Sequence, residues 1–573
     1  MEKSFEITQR SIIFNFSNSY VKNETEVLSS EAFNCVFSRY LNHVKEVENS
    51  NLLELINSIE KPVETLTTIF KLLLSFNIED IKNVNKEFEI VLNKSEKLYD
   101  LVEDFYNYWR RLERYAIVKS SQAKSTIESV NFIGETENFN QLILKTYRAI
   151  AQKLQGVDFY IYRQLTAGVN ASLSICKNKW AKKGSKYEAL NDLSFINHVV
   201  IRPPFIYYSD KNTRKGIFPE VAINPVDEIK EFNKDDWFCY PTMVGSSLTY
   251  VYFHKDYMDH GIALSNLFEF VHIEDCANKK PDIIVFFGAE VAGEPRFNYD
   301  EENDIYIGLC PHGKEIDYFG YMKKMLLTCH NVKMIKEGYL PIHGAGVLIK
   351  LKSGVEKMLV LMGDSGAGKS ESLEALKSYA GNDIVSTKTI FDDMGTFKIK
   401  DNKVYAYGTE TGAFVRLDDL ENGYAYKEMD RSIFMNPNQT NARLVMPVAT
   451  YHQIMKGYPV DMFFYANNYS TDEAIMVKFS DKDSAINVFK QGARVAKGTT
   501  NELGLVTSYF ANPFGPTQKQ DLCNPLLDKY FDLLFKNQIP VGEIHTRLAV
   551  SGMEHEGPKE VAKFLFELVK KEA

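Results

Sequence analysis

The sequence has no Cys-x-x-Cys pair; its seven cysteines stand singly at Cys35, Cys176, Cys239, Cys276, Cys310, Cys329 and Cys523. An odd, dispersed set fits reduced thiols better than a disulfide framework or a zinc site. Long apolar runs are missing too. The longest, such as 283–287, are far too short to span a bilayer, so no membrane partner is expected. Residues 1–5 lead into no apolar core of signal-peptide length, and a cytoplasmic location is expected. There is no excess of positive charge: 67 Lys and Arg stand against 76 Asp and Glu, a net charge of −9. That balance argues against a broad nucleic-acid footprint but leaves room for a local basic pocket for a phosphorylated substrate. Internal repeats and low-complexity linkers are absent.

What is present is a chain of 573 residues, 45% hydrophobic and 25% charged, a globular balance too long for one core. Residues 1–155 read as helical. Leu98, Leu101, Val102, Phe105, Trp109 and Leu112 recur at three- and four-residue spacing, with Glu103, Arg110, Arg111 and Glu113 on the other face. Near Gln164-Leu165-Thr166-Ala167-Gly168 glycine and proline become regular and short β-rich runs appear at 198–201, 249–253 and 283–287. Further runs follow at 358–362 and 404–407. The last helix, over 558–571, sets Val561, Phe564, Leu565 and Leu568 on one side. The expected organisation is an α/β protein: a helical region over 1–155, an α/β domain over 156–335 and a nucleotide-binding domain over 336–573.

The strongest motif is Gly363-Asp364-Ser365-Gly366-Ala367-Gly368-Lys369-Ser370, between an apolar strand and a helical pattern. In that context the glycines let backbone N–H groups face phosphate oxygens, and the helix N-terminus adds partial positive charge. Lys369, expected to face the nucleotide, would reach the β- and γ-phosphates, and the Ser370 hydroxyl would ligate magnesium. Downstream, Asp392-Asp393 ends a β-prone stretch. Adjacent carboxylates there suit a second magnesium-binding element, because hard cations prefer oxygen.

Four polar blocks accompany the loop: Tyr318-Phe319-Gly320-Tyr321-Met322-Lys323-Lys324; His343 in Leu340-Pro341-Ile342-His343-Gly344; Asp393-Met394-Gly395-Thr396-Phe397; and Thr440-Asn441-Ala442-Arg443-Leu444. In their order, and in the stretch Tyr509-Phe510-Ala511-Asn512-Pro513-Phe514, residues 165 to 573 resemble ATP-dependent phosphoenolpyruvate carboxykinase. The resemblance implies a two-lobed mixed-sheet fold with a P-loop domain, here preceded by helices without counterpart in that family. It also implies Lys324, His343 and Asp393 as manganese ligands, Arg443 as neutraliser of the transferring phosphoryl group, and Lys323 and Tyr318 as substrate-holding residues. Ser365 would lie inside the loop against the enolate side. Phe397 stands where the family has tryptophan, and Arg416 where it has a phosphate-binding lysine. Arg202 and Arg214 are both candidates for gripping oxaloacetate.

The expected reaction therefore converts oxaloacetate and ATP, with magnesium and manganese, to phosphoenolpyruvate, ADP and carbon dioxide. The loop also resembles that of HPr kinase, which makes an ATP-dependent kinase of a hydroxyl the alternative; the Tyr318 to Lys324 block and Arg443 favour the carboxykinase. A non-enzymatic nucleotide sensor is the third reading, against which Lys324, His343, Lys369 and Asp393 stand together.

Overall fold

The computed structural model describes the chain except for residues 1–2, 18–19, 47–51, 120–125, 157–166, 379–383, 418–419, 421–427, 497–503 and 572–573, and the side chains of 126–130 and 377–378. Gln164, Leu165 and Thr166, at the expected change of texture, lie outside the described residues. Two compact units emerge: Met1–Cys176 with Ile196–Phe205, and Lys177–Phe195 with Ile206–Ala573. The α/β class expected from the sequence holds, with parallel and antiparallel strand pairs side by side. Among the described residues no helix is long and apolar enough to cross a membrane.

The first unit carries the expected helices. Glu24–Ser29 and Lys86–Leu92 start at Asn23 and Asn85, whose side chains accept a first-turn amide, and Pro62 opens Pro62–Leu73. In Ser95–Arg111 the stripe of Leu98, Leu101, Val102 and Trp109 is buried, as its spacing requires. The region is not purely helical, however. Phe5–Ile7, Ser11–Asn15 and Glu113–Lys119 form a sheet, and Ala171–Lys177 pairs parallel to Glu113–Lys119. Strands of three to seven residues are too short for periodicity to separate from a buried helical turn. That pairing carries the unit past the boundary expected at 155, to Cys176. None of the seven cysteines, all among the described residues, forms a disulfide.

In the second unit a five-stranded run orders Trp237–Val244, Ser247–His254, Ile283–Ala289, Ile305–Pro311 and Arg296–Asp300. A nine-stranded sheet runs Tyr458–Pro459, Lys403–Gly408, Met394–Lys400, Leu340–Leu351, Glu356–Met362, Met462–Asn467, Val541–His545 and Met476–Lys478, with Ile384–Phe391 also paired to Leu340–Leu351. The continuous apolar run 358–362 is explained by burial of both faces. Met358, Val360 and Met362 pack with Leu527 and Phe531 of helix Gln520–Lys536. Leu359 and Leu361 pack with Leu373 and Leu376 of helix Lys369–Ser378 and with Val561 and Leu565 of Glu556–Lys571. Helix Phe319–Lys336 is buried on nearly every face, and its buried positions include the polar Lys323, Thr328, His330 and Asn331. The boundary expected between 335 and 336 falls inside this helix, and residues 206–573 form one unit.

In the first unit Arg114 closes the end of Ser95–Arg111. Its buried guanidinium donates to the carbonyls of Trp109 at 2.8 Å, Arg110 at 2.9 Å, Leu112 at 2.6 Å and Gly168 at 2.6 Å. Burial pulls its pKa down to about 10, yet it stays charged near neutrality. The last carbonyls of a helix lack intrahelical partners, and this fork supplies them. Arg114→Met should therefore destabilise the first unit by several kcal/mol, at about 1–3 kcal/mol for each stranded carbonyl. Urea unfolding followed by circular dichroism measures this; an unchanged midpoint would show that the fork is dispensable.

Candidate functional site

The long strand Leu340–Leu351 changes partners along its length, and the site forms where it does so. Its first residues, Leu340 to His343, pair with Met394–Lys400; from Gly346 it pairs with Ile384–Phe391. The chain crosses between these partners through Asp392 and Asp393. His343 faces Met394 in register, and the Gly344 amide donates to the Asp393 carbonyl at 3.0 Å. On the other side the Gly363 amide donates to the His343 carbonyl at 3.0 Å, tying the start of the phosphate loop to the same strand. Residues fifty positions apart are thus set side by side by register alone.

The side chains then converge. His343 Nε2 lies 3.0 Å from Asp393 Oδ1, and Asp393 Oδ2 lies 2.5 Å from Lys324 Nζ and 2.7 Å from Lys323 Nζ. His343 Nδ1 is 2.7 Å from the Ala511 carbonyl, a contact that needs the proton on Nδ1, and Nε2 is the atom that faces Asp393. The carbonyl is presented by two residues in left-handed backbone, Phe510 (φ 52°) and Ala511 (φ 43°), a strained turn of the kind that marks functional sites. Burial depresses the pKa of Lys324 and of His343. Burial also opposes charge on Lys323, but Asp393 and Glu410 outweigh it and hold its pKa above the ordinary lysine range. Asp393 is held well below the usual carboxylate range: burial works the other way, and the two lysines and His343 overcome it.

The glycine-rich loop 363–370 adopts the expected strand–loop–helix form, from Glu356–Met362 into Lys369–Ser378. Gly366 (φ 79°) and Gly368 (φ 87°) take left-handed backbone, and a Cβ on Gly368 would lie 2.5 Å from Thr546 Oγ1. Ser365 and Ala367 lie within this turn, the Ser365 amide bonding the Asp364 carboxylate at 2.7 Å. The Ser370 hydroxyl donates to Asp392 Oδ1 at 3.3 Å, so both expected magnesium-binding oxygens meet. Burial and the adjacent Asp393 raise the Asp392 pKa. Lys369 departs from expectation. It is only 6% exposed, and its ammonium bonds the Asp364 carbonyl at 2.9 Å rather than pointing outward. The cause is packing: Lys369 is the first residue of a helix whose loop curls over it.

Phe414 gathers the next group. Arg443 Cζ lies 5.3 Å and Lys323 Nζ 5.6 Å from its ring centroid, and the buried Tyr318 ring lies 6.0 Å away. Arg416 stands directly opposite Arg443 in the ladder between Gly412–Arg416 and Arg443–Pro447. Phe514 gathers the other group: Lys324 Nζ at 4.4 Å, Arg214 Cζ at 4.9 Å and the His343 ring at 5.8 Å. The two arginines singled out in the sequence stand in different surroundings. Arg214 shares a ring with Lys324 and His343, whereas Arg202 is in the first unit, paired with Glu137.

Sequence reading missed several residues. Glu410, buried and 2.9 Å from Lys323, has its pKa pushed up to about 7 by burial, which Lys323 opposes and the neighbouring Asp393 reinforces. Arg494 Nε lies 3.0 Å from Asp364 Oδ2. Neither carries a motif; Glu410-Thr411-Gly412 reads as a turn. The Asp364 side chain, inside the loop, could have signalled a need for a cation. Comparison with known proteins adds no relative: no protein-family model matches the chain, and no curated protein matches it in sequence.

Breaking a buried pair strands a charge at a cost of about 3–5 kcal/mol. Arg494→Met should destabilise the second unit by that order, and adding Asp364→Asn should restore most of it. A double-mutant cycle in denaturant measures the coupling; additive losses would show that the pair does not hold the loop.

Proposed function

We propose that the chain is a divergent phosphoenolpyruvate carboxykinase that converts oxaloacetate and ATP to phosphoenolpyruvate, ADP and carbon dioxide. One observation carries the reading: Lys324, His343 and Asp393 meet within hydrogen-bond distance beside a Gly-x4-Gly-Lys-Ser loop. On this reading the sheets of the second unit are the two lobes of the carboxykinase fold.

The donor set suits manganese, since an imidazole nitrogen, a carboxylate and a lysine whose charge burial opposes can all turn a lone pair inward. Ser370 and Asp392 offer oxygens suited to magnesium. When bound, these ions supply Lewis-acid stabilisation of enolate charge and offset charge on the phosphates.

The chain's own residues do the rest. Arg214 and Lys323 hold the dicarboxylate, with Tyr318 packed against Phe414 beside them. Decarboxylation releases the C–C bonding pair into the enolate, so no general base is required. The enolate oxygen attacks the γ-phosphorus in line, and the bond to ADP breaks. Arg443 and Arg416 take charge on the transferring group, Arg443 as a planar fork. Lys369 leaves the Asp364 carbonyl for the β- and γ-phosphates, while loop amides between Gly363 and Ser370 cradle them.

Purified protein with oxaloacetate, ATP, magnesium and manganese should form phosphoenolpyruvate. Lys369→Ala should abolish it, and Arg443→Lys should lower the rate by about a thousandfold or more. His343→Gln should raise the manganese requirement far more than the KM for ATP. No phosphoenolpyruvate from the wild type, with ATP consumed on a hydroxyl acceptor instead, would replace this reading with the kinase.

A further inference from the structure

A second cluster of metal-ligating side chains lies in the second unit, apart from the residues just described. Strands Ser247–His254, Ile283–Ala289 and Ile305–Pro311 run parallel, with Phe253, Phe287 and Cys310 in register. His254, Glu290 and His312 therefore leave the sheet together at its carboxyl edge, the edge where open α/β sheets bind ligands. The turn Lys255–Tyr257 brings Asp256 back over them.

The geometry is convergent. His312 Nε2 lies 2.9 Å and His254 Nδ1 3.3 Å from the same Asp256 Oδ2, and one ligand atom from each residue lies within 4.8 Å of the others. Ligands about 2.0–2.2 Å from a tetrahedral ion stand roughly 3.4 Å apart, so little movement separates this arrangement from a coordination sphere. The Asp256 amide also lies 3.4 Å from His254 Nδ1, so the backbone of the turn fixes that ring atom beside the carboxylate. His312 Nδ1 lies 3.5 Å from Glu290 Oε1, the outer carboxylate that orients metal-binding histidines. Gly288 lets the middle strand close in, since a Cβ there would lie 2.9 Å from the His254 Cβ.

We propose that His254, Asp256 and His312 bind a divalent transition-metal ion of the zinc class, with Glu290 supporting His312 and a fourth position left for water. Two imidazoles and one carboxylate are a donor set for such ions, whereas calcium and magnesium call for oxygens.

The test uses the full chain, without an affinity tag and stripped by chelator. It is titrated with Co²⁺ by visible absorption and with Zn²⁺ by calorimetry, in a His343→Gln background so that the Lys324 set does not contribute. One equivalent should bind. His254→Ala/His312→Ala should lose it, and Glu290→Gln should weaken it about 10–100-fold. His312 and Asp256 are 30% and 35% exposed, so His312→Ala and Asp256→Asn should fold and carry the test even if His254→Ala does not. Unchanged stoichiometry and affinity in the ligand variants, or no binding in the His343→Gln background, would overturn the proposal. Neither result depends on carboxykinase turnover.

Discussion

The Asp393 carboxylate sits among Lys323, Lys324 and His343, and the local fold of the second unit depends on that balance of charge. Two consecutive lysines near the start of a buried helix are costly, because burial disfavours the ammonium and the helix N-terminus is itself partially positive. Asp393 and Glu410 make the arrangement tenable: two carboxylates against two ammonium groups, with Lys323 and Glu410 buried and Lys324 and Asp393 half-buried. A hydrophobic replacement of the whole cluster would stabilise as well or better. Keeping it is a stability sacrifice of the sort found where chemistry is done, and it motivates the functional reading as strongly as the loop does.

The same anion also explains why the backbone path takes its shape. Leu340–Leu351 hands one edge from Met394–Lys400 to Ile384–Phe391 and places the crossing, Asp392-Asp393, against His343. The Gly363 amide then closes the phosphate loop onto the same strand. Aromatic rings complete the enclosure. Phe514 receives Arg214 and Lys324, Phe414 receives Arg443 and Lys323, and each ring offers a weakly attractive face that holds a cation without neutralising it. Arg214 and Arg443, held in this way, keep their charge.

Much of this was legible in the residues. The loop, its flanking strand and helix, the apolar runs and the amphipathic ends are local features, written in spacing that follows from 3.6- and 2-residue periods. The blocks around Lys324, His343, Asp393 and Arg443 were legible as candidates because their residue types are chemically specific. The three strands of the first 155 residues were not, since five apolar residues fit a strand and a helical turn equally. Nor were Glu410, Arg494 and the Ala511 carbonyl, which gain their roles only from what folds against them.

The sequence by itself therefore determined which chemical groups were available and what local structure carries them: a glycine-rich loop between a strand and a helix, an acidic pair at a strand end, paired lysines on a helix. Only the tertiary structure decided which groups meet. It turned Lys369 back onto Asp364, assigned Arg214 rather than Arg202 to the Phe514 ring, and fixed the tautomer of His343 through a carbonyl 168 residues away. Those outcomes depend on strand register and long-range packing, where a shift of one residue moves a side chain to the opposite face, and no local pattern records that choice.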